Sequence, residues 1–282
     1  MSNRIFLRFP NFRNKALTLS YDDGVRQDKR LISIMDKHGI KGTFNINGGL
    51  FNPVRDNEDK GRMTVEEAVE LYKNSPHEVA IHGFKHLSWA LCDNAVVVND
   101  IIKDRVELEK IFGRNIMGMA YPNGTANCTE TTVEILKNCN VKYGRTTVST
   151  YGFSIPTDWL RMGATCHHKD PRLMELLDKF LNGQQPAYFW AKVPKLFYLW
   201  GHSYEFDNNN NWNVIEEFCE KAGGHESVWY ATNGEIYDYV TAFDRLEWSV
   251  EEKYVYNPSA IDIYIDYYGK QVIVPEGKTI TL

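Results

Sequence analysis

Residues 16–24 read ALTLSYDDG, a short apolar run that ends in two adjacent carboxylates and a glycine. Runs of this length, rich in apolar, β-branched or aromatic residues, are typical of buried β-strands. Eight such runs recur along the chain, at residues 16–20, 41–46, 78–82, 116–121, 141–147, 160–165, 196–201 and 228–232. The sequence therefore predicts a fold organised around eight strands.

Segments with helical periodicity separate most of these strands. They span residues 28–40, 64–75, 96–113, 129–140, 171–183, 213–224 and 234–246. Three of them stop at a glycine (Gly39, Gly113 and Gly183), where a left-handed C-terminal residue is expected. Regular alternation of strands and helices favours parallel strands joined by crossover helices. We therefore predict an α/β fold, a (β/α) barrel of seven or eight parallel strands.

The sequence changes character after residue 246. Alternating IDIYIDYY and QVIVP runs flank a turn at Gly269, a pattern that is typical of a β-hairpin. We predict that residues 1–246 form the barrel and that residues 247–282 form a small C-terminal β appendage packed on it. Residues 207–211, DNNNN, are predicted to form a polar surface loop.

The composition indicates a globular protein without a strongly charged partner. Of the 282 residues, 43% are hydrophobic and 24% are charged, and the formal net charge is −5, which gives no overall attraction to nucleic acid or anionic lipid. The N-terminus lacks the continuous apolar stretch of a signal peptide, and the five cysteines contain no CxxC pair. These features favour a cytoplasmic protein that binds neither nucleic acid nor membrane; they specify no oligomeric state.

Polar residues that directly follow strands are the candidates for chemistry, because the functional groups of βα barrels lie at the C-terminal ends of the strands. Asp22 and Asp23 follow the first strand, His82 and His86 the third, and His202 the seventh. Adjacent carboxylates point in different directions, so one can bind a cation while the other handles a proton. Two histidines four residues apart present both imidazoles on one face of a helical turn and suit a divalent metal.

Each pattern also has an ordinary structural explanation. DDG is a good turn sequence. Eight histidines in 282 positions give about 0.2 HxxxH pairs by chance, so that spacing is weak when it stands alone. A single histidine at a strand end is often only hydrogen-bonded there. The shared position directly after strands is what favours a common site.

Taken together, these residues resemble the polysaccharide deacetylase family, also called the NodB-homology domain or carbohydrate esterase family 4. The first family motif, an aromatic residue followed by DDG, is matched by residues 21–24. The second, His-Ser/Thr-x-x-His, is matched by residues 82–86 with Gly83 in the hydroxyl position, and the last, Leu-x-x-His, by residues 199–202. The resemblance spans residues 15–235.

This resemblance implies a distorted (β/α) barrel, one divalent ion (zinc or another transition metal) and hydrolysis of acetyl groups, usually from N-acetylated sugars. The metal ligands that it implies are Asp23, His82 and His86. Asp22 would be the catalytic base, and His202 would be the general acid.

The third family motif, Arg-x-Pro-Phe/Tyr, is replaced here by Ala120-Tyr121-Pro122-Asn123. Tyr121 and Asn123 would flank the oxyanion site, with a backbone N–H, such as that of Asn123, as the donor. The arginine that steadies the catalytic aspartate in the family is missing, and a base without a cationic neighbour is protonated more easily. Arg145 at the end of the fifth strand or Arg161 in the sixth would compensate; strand-end placement favours Arg145, and a surface role for it stays open.

Three further residues are candidates for substrate contacts. Asp158-Trp159 resembles the Asp-Trp pair of the fourth motif, whose aspartate orients the missing arginine in the family, although Trp159 could simply form an apolar wall. His167, in the run Cys166-His167-His168, would offer a substrate hydrogen bond or an additional metal ligand.

The predicted function is metal-dependent removal of acetyl groups from an acetylated carbohydrate, with an N-acetyl sugar favoured. One alternative is an amide hydrolase of the same superfamily that acts on a small metabolite. Another is a catalytically inactive module that binds metal or sugar. The presence of both Asp22 and His202 argues against the binding module, because binding alone would not require two proton-transfer groups.

Overall fold

The computed structural model describes residues 4–53, 61–183 and 192–282. The strands are β1 (Ile5–Arg8), β2 (Lys15–Asp22), β3 (Gly42–Ile46), β4 (Glu78–Ile81), β5 (Gly118–Ala120), β6 (Tyr143–Ser149), β7 (Met162–Ala164), β8 (Cys166–His167), β9 (Lys195–Gly201), β10 (Val228–Tyr230), β11 (Glu247–Trp248), β12 (Tyr254–Tyr256), β13 (Ile263–Tyr267), β14 (Lys270–Val274) and β15 (Thr279–Thr281). The helices are α1 (Asp28–Lys37), α2 (Val65–Tyr72), α3 (Asn94–Phe112), α4 (Glu130–Asn138), α5 (Leu173–Asn182), α6 (Tyr204–Asn208), α7 (Asn213–Ala222) and α8 (Asn233–Asp244).

The central sheet is parallel and closes into a ring. Its order is β7-β6-β5-β4-β3-β2-β9-β8, and β10 pairs with the first half of β2. Only Thr165 separates the two edge strands β7 and β8, so one stretch of chain pairs with β6 on one side and with β9 on the other. The Thr165 N–H donates to the Tyr198 carbonyl at 2.8 Å and continues the pairing across this joint. The predicted barrel of seven or eight parallel strands is confirmed.

The ring is irregular on the side of β5 and β6. The pairing of β4 with β5 rests on a single register position, Ile81 with Met119. A register shift interrupts the pairing of β6 with β7 between Arg145 and Ser149. The barrel is therefore distorted, as the family resemblance implies.

Residues of β2 alternate between two environments, as the two-residue period of a strand requires. Leu17, Leu19 and Tyr21 belong to the apolar core that the surrounding helices cover. Thr18 lies on the other face, where its hydroxyl hydrogen-bonds with Asn233 Oδ1 at the start of α8, 2.9 Å away. Asp22 follows in the same alternation and therefore lies inside the ring.

The seven predicted helices are present with slightly shifted ends, and α6 is additional. Gly39 and Gly113 have the predicted left-handed conformation, with φ of 65° and 66°. The prediction was wrong for Gly183, where φ is −57°. A Cβ at Gly183 would lie 2.3 Å from the Lys179 carbonyl oxygen, so this position requires a small residue rather than a left-handed one. The predicted loop at 207–211 begins inside α6.

The C-terminal strands form two small sheets. β13 and β14 make the predicted hairpin, whose turn residues Tyr268 and Gly269 both have positive φ. β13 also pairs antiparallel with β1, and β11, β12 and β15 form the second sheet. The Tyr239 hydroxyl on α8 joins the first sheet to the barrel, because it donates to the Arg8 carbonyl and accepts from the Tyr264 N–H. The division into residues 1–246 and 247–282 stays a prediction.

Among the described helices, none combines the length and the apolar character needed to cross a membrane.

Candidate active site

A cluster of ionisable side chains lies at the C-terminal ends of the parallel strands. Its members are Asp22, Asp23, His82, His86, Arg145 and His202. The aspartates and histidines lie at or shortly after the ends of β2, β4 and β9. Arg145 was expected at a strand end, but it lies inside β6, level with Ala120 at the end of β5.

Asp22 is an ionised carboxylate in a buried position. It is only 2% exposed. The Arg145 Nη2 atom lies 2.5 Å from each of its oxygens, and Asn45 Nδ2 donates to Oδ1 at 2.9 Å. Burial by itself would raise the pKa of Asp22, but Arg145, His82 and His202 outweigh it and hold the pKa at about 2. Asp22 therefore carries its charge throughout the neutral range.

Arg145 reaches Asp22 across the interior of the ring, because β6 and β2 are not neighbouring strands. Its side chain is fully buried, and the guanidinium lies over the Trp200 ring, 4.5 Å from the centroid. Arg161, the other arginine considered from the sequence, instead pairs with Asp158 and Glu130. The structure thus brings Arg145, and not Arg161, to the candidate base.

His82 has a fixed tautomer that leaves one nitrogen available to a metal. Its Nδ1 atom lies 2.9 Å from the Ala120 carbonyl oxygen. Because a carbonyl only accepts, Nδ1 carries the proton and Nε2 keeps its lone pair. Metal-binding histidines usually donate their second N–H to such an acceptor. Burial lowers the pKa of His82, which keeps the imidazole in the neutral form that a metal requires.

Asp23 and His86 complete a three-residue group that fits a divalent metal. Their ligand atoms and that of His82 all lie within 4.8 Å of one another. Both Asp23 and His86 have left-handed backbones, with φ of 87° and 53°. Two imidazoles and one carboxylate form a donor set of catalytic zinc sites and leave a coordination position open. The residues present therefore fit the ion that the family implies.

A β-turn over residues 83–86 separates the two histidines, and the predicted helical turn was wrong. The His86 N–H donates to the Gly83 carbonyl at 3.3 Å. Gly83 has a φ of 76°, and a Cβ at this position would lie 2.8 Å from Asp100 Oδ2. Since a helix cannot contain a residue of that conformation, the chain turns sharply there. The same crowding accounts for glycine in place of the family's hydroxyl residue.

His202 lies between the candidate base and a second carboxylate. Its Nε2 atom is 3.9 Å from Asp22 Oδ2 and 4.0 Å from Asp23 Oδ2, and its Nδ1 atom is 3.7 Å from Glu205 Oε1. Burial lowers the pKa of His202, but Glu205, Asp22 and Asp23 together raise it above the ordinary value. His202 therefore holds a proton more readily than an isolated histidine does.

A second group of residues of metal-ligand type contains His167, His168 and Glu205. In this group His167 does not leave a nitrogen lone pair available to a metal, as His82 does. Glu205 Oε2 lies 3.2 Å from His167 Nε2 and 2.9 Å from His168 Nε2. The backbone N–H of Lys169 donates to His167 Nδ1 at 3.1 Å. Neutral His167 consequently carries its proton on Nε2, facing Glu205, and that nitrogen has no lone pair for a metal. This group is better described as a polar network beside His202.

The remaining sequence-predicted residues are spread around the barrel. Asn123 is exposed near the site, with Nδ2 3.5 Å from the His86 carbonyl oxygen. The hydroxyl of buried Tyr121 donates to the Leu160 carbonyl. Asp158 caps a short 3-10 helix and pairs with Arg161, while Trp159 packs edge-on against Tyr237. Asp158 and Trp159 precede β7, and so they lie at the opposite end of that strand from the cluster.

Several residues that support the site through hydrogen bonds were not predicted from the sequence. Asp104 on α3 accepts hydrogen bonds from the His82 and Gly48 N–H groups at 3.0 and 2.6 Å. Asp100 accepts from the Lys85 N–H and the Trp89 indole. Asn47 donates to the His82 carbonyl. Asn47 could have been predicted as a site residue, since it directly follows the second predicted strand. The two aspartates lie on a helix face, where no sequence pattern indicates a role in the site.

The fold and the cluster define a class of protein, a parallel (β/α) barrel with a candidate metal site at the C-terminal ends of its strands. Residues 10–144 match the family model described as polysaccharide deacetylase. This match covers a little under half of the chain, which is therefore similar to the family over those residues.

Three solved structures illustrate the similarity. A candidate polysaccharide deacetylase from Mycobacterium smegmatis has a TM-score of 0.60 at 16% identity, over 84% of this chain and 94% of that chain. The Streptococcus pyogenes deacetylase PplD, in complex with acetate, has a TM-score of 0.45 at 23% identity, over 51% of this chain and 61% of that chain, which is under two thirds of its length. A carbohydrate esterase family 4 pseudoenzyme from Bacillus anthracis has a TM-score of 0.47 at 15% identity, over 82% and 68%. No curated protein matches the chain.

Proposed function

We propose that the protein is a metal-dependent deacetylase that hydrolyses the acetyl groups of an acetylated carbohydrate, with an N-acetyl sugar as the favoured substrate. The observation that carries the proposal is the tautomer of His82, whose Nδ1–H faces the Ala120 carbonyl and whose Nε2 is left for a metal. Asp23 and His86 would be the other ligands. Zinc suits this donor set, as do other transition metals. The match of residues 10–144 to the polysaccharide deacetylase model supports the acetyl group and the carbohydrate.

A divalent ion bound by these three residues would act as a Lewis acid, which lowers the pKa of water and polarises an acyl carbonyl. Asp22 is the proposed base that takes a proton from the attacking water. Its pKa of about 2 keeps the carboxylate ionised at neutral pH, in the form that can accept a proton. Arg145 is proposed to hold Asp22 in this state.

His202 is the proposed general acid for the leaving amine or alkoxide. Its raised pKa favours the protonated form, and its Nε2 atom lies 3.9 Å from Asp22 Oδ2, the oxygen that is also 3.8 Å from His82 Nε2. The Asn123 backbone N–H is the proposed donor to the developing oxyanion. Tyr121 would brace the same loop through its bond to Leu160. Substrate contacts of Asp158, Trp159 and His167 stay predictions.

The test is acetate release from a panel of acetylated sugars and small acetamides, with metal-stripped protein before and after addition of zinc. We expect turnover only with metal, and we expect Asp22→Asn to lower it by at least about 100-fold, since general bases contribute 10²–10⁴. Asp178→Asn, on the exposed face of α5, is the matched control and should keep full turnover.

Three outcomes would change the proposal. Zinc binding without turnover on any substrate would favour the binding module. Turnover confined to small acetamides would favour the metabolite hydrolase. Unchanged zinc content in Asp23→Ala, His82→Ala and His86→Ala would overturn the ligand assignment.

A further inference from the structure

Asp23 has a backbone conformation that an aspartate rarely adopts without support. Its φ is 87°, in the left-handed half of the Ramachandran map, and strain of this kind persists only where the surroundings enforce it. The neighbouring Arg62 supplies two such contacts. Its Nη1 donates to the Asp23 carbonyl oxygen, and its Nη2 donates to Asp23 Oδ1 at 3.0 Å. One guanidinium thus holds both the main chain and the side chain of the proposed ligand.

The same guanidinium is connected to the second proposed ligand through Asn47. Arg62 Nη1 donates to Asn47 Oδ1 at 2.6 Å. Asn47 is 1% exposed, and its Nδ2 donates to the carbonyls of His82 and Gly83, each at 2.6 Å. A continuous set of hydrogen bonds therefore runs from Asp23 through Arg62 and Asn47 to His82. It joins the ends of β2, β3 and β4.

Backbone pairing fixes Arg62 in this position. Val25 and Arg62 form an isolated antiparallel bridge. On either side of it, the Arg26 N–H donates to the Gly61 carbonyl at 2.9 Å and the Met63 N–H donates to the Gly24 carbonyl at 3.3 Å. Because the segment 61–63 is held along residues 24–26, the arginine is presented to Asp23 independently of any metal.

We propose that Arg62 and Asn47 are positioning residues that set the geometry of the metal ligands Asp23 and His82, an inference that rests on the proposed metal site. Partners that orient ligands typically change metal affinity by 10–100-fold when they are removed. Charge alone predicts that removal of Arg62 strengthens metal binding, because a cation next to Asp23 repels a divalent ion. Removal of the Arg62 charge therefore separates positioning from simple repulsion.

The experiment measures the zinc dissociation constant by competition with a chromophoric chelator, for the wild type, Arg62→Gln, Arg62→Lys and Asn47→Ala. We expect Arg62→Gln to weaken binding by about 10–100-fold, and Arg62→Lys to recover part of the loss. Cobalt(II) replaces zinc in a parallel series, where the intensity of the visible absorption bands should change with the ligand geometry. Arg30→Gln, which removes an exposed arginine on α1, should leave affinity and spectrum unchanged.

Zinc affinity in Arg62→Gln that equals or exceeds that of the wild type would overturn the proposal. Arg62 is one quarter exposed, so its substitution keeps the test usable even if the buried Asn47→Ala variant fails to fold. A wild-type protein that binds no zinc would overturn both the positioning role and the proposed function. The two proposals can also fail separately. If the wild type binds zinc without turnover and Arg62→Gln binds zinc more weakly than the wild type, the positioning role is supported and only the proposed function is contradicted.

Discussion

The ion pair between Asp22 and Arg145 is buried on both sides, with side chains 3% and 0% exposed. Removal of one partner of such a pair leaves an uncompensated charge, which typically costs about 3–5 kcal/mol. We expect Arg145→Met to lower the free energy of unfolding at pH 7 by about this amount. Arg161→Met, which breaks two partly exposed pairs, should cost about 1 kcal/mol or less for each pair.

The loss in Arg145→Met should depend on pH in a defined direction. The folded-state pKa of Asp22 is about 2, below the ordinary 3.8, so its ionisation stabilises the wild type above about pH 4 and this contribution fades towards pH 2. Without Arg145, burial would dominate and raise the pKa of Asp22. The deficit of the variant should therefore be largest near pH 7 and shrink near pH 4.5. Urea unfolding of the metal-free proteins at both pH values measures it, and an equal deficit at both would contradict the assignment.

Most residues of the site were predictable from the sequence because they lie at or shortly after strand ends, and Arg145 was also favoured although it lies inside β6. Asp22, Asp23, His82, His86 and His202 share the strand-end position, and the structure brings all five together. Arg62 could not be found in this way, because its relation to Asp23 depends on an isolated backbone bridge that carries no sequence pattern.

At the scale of elements, the loop between β4 and α3 depends on glycine at position 83. A Cβ there would meet Asp100 Oδ2 at 2.8 Å and Trp89 at 3.1 Å, in a backbone with positive φ. We expect Gly83→Ser, the family's usual type of residue, to lower the free energy of unfolding by about 1–3 kcal/mol. Gly39→Ser is the matched control: Gly39 has a similar φ of 65° but no atom within 4 Å of the added Cβ. Chemical denaturation of both variants should give a larger loss for Gly83→Ser; an equal loss would mean that the contacts with Asp100 and Trp89 cost nothing.

Most strands and helices were predictable because their periodicity reflects burial. β9 alternates between the two cores, with Phe197 and Leu199 on the helix side and Leu196, Tyr198 and Trp200 on the other. The split of one predicted strand into β7 and β8 was not predictable. The split arises because this stretch pairs first with β6 and then with β9. Such pairing depends on closure of the ring, which no local pattern in the sequence indicates.

At the scale of the whole molecule, the two ends of the chain share one sheet. β1 pairs with β13, and Val255, Ile263, Ile265 and Val274 are fully buried. Each such side chain contributes about 1.5–3 kcal/mol when buried. Together they approach the total stability of a typical domain, about 5–15 kcal/mol. The C-terminal strands are therefore energetically coupled to the N-terminal strand.

We accordingly expect a chain that ends at residue 246 to unfold at a markedly lower temperature than the full chain, or to aggregate. A chain that ends at residue 277 loses β15 but keeps the hairpin of β13 and β14, and it should stay close to the full chain. Circular dichroism during heating compares the three. Equal melting of the 246-residue form would show that residues 247–282 are an independent appendage.

The pairing of β1 with β13 could not have been predicted, because the short run at residues 5–8 gives no indication of a partner more than 250 positions away. The barrel, in contrast, joins elements that mostly follow one another in the sequence, and its alternation was sufficient to predict it.

The reach of Arg145 across the ring has a consequence for how such sites can change. Inside a closed ring, inward-facing side chains on different strands point into the same small volume. A given functional group can therefore come from any of several strands. A cation lost from the end of β5 can be supplied from β6 without any movement of Asp22. The charge thus keeps its position in space although the residue that carries it occupies a different position in the sequence. In relatives that lack an expected residue, the neighbouring strands are therefore the first place to look for a replacement.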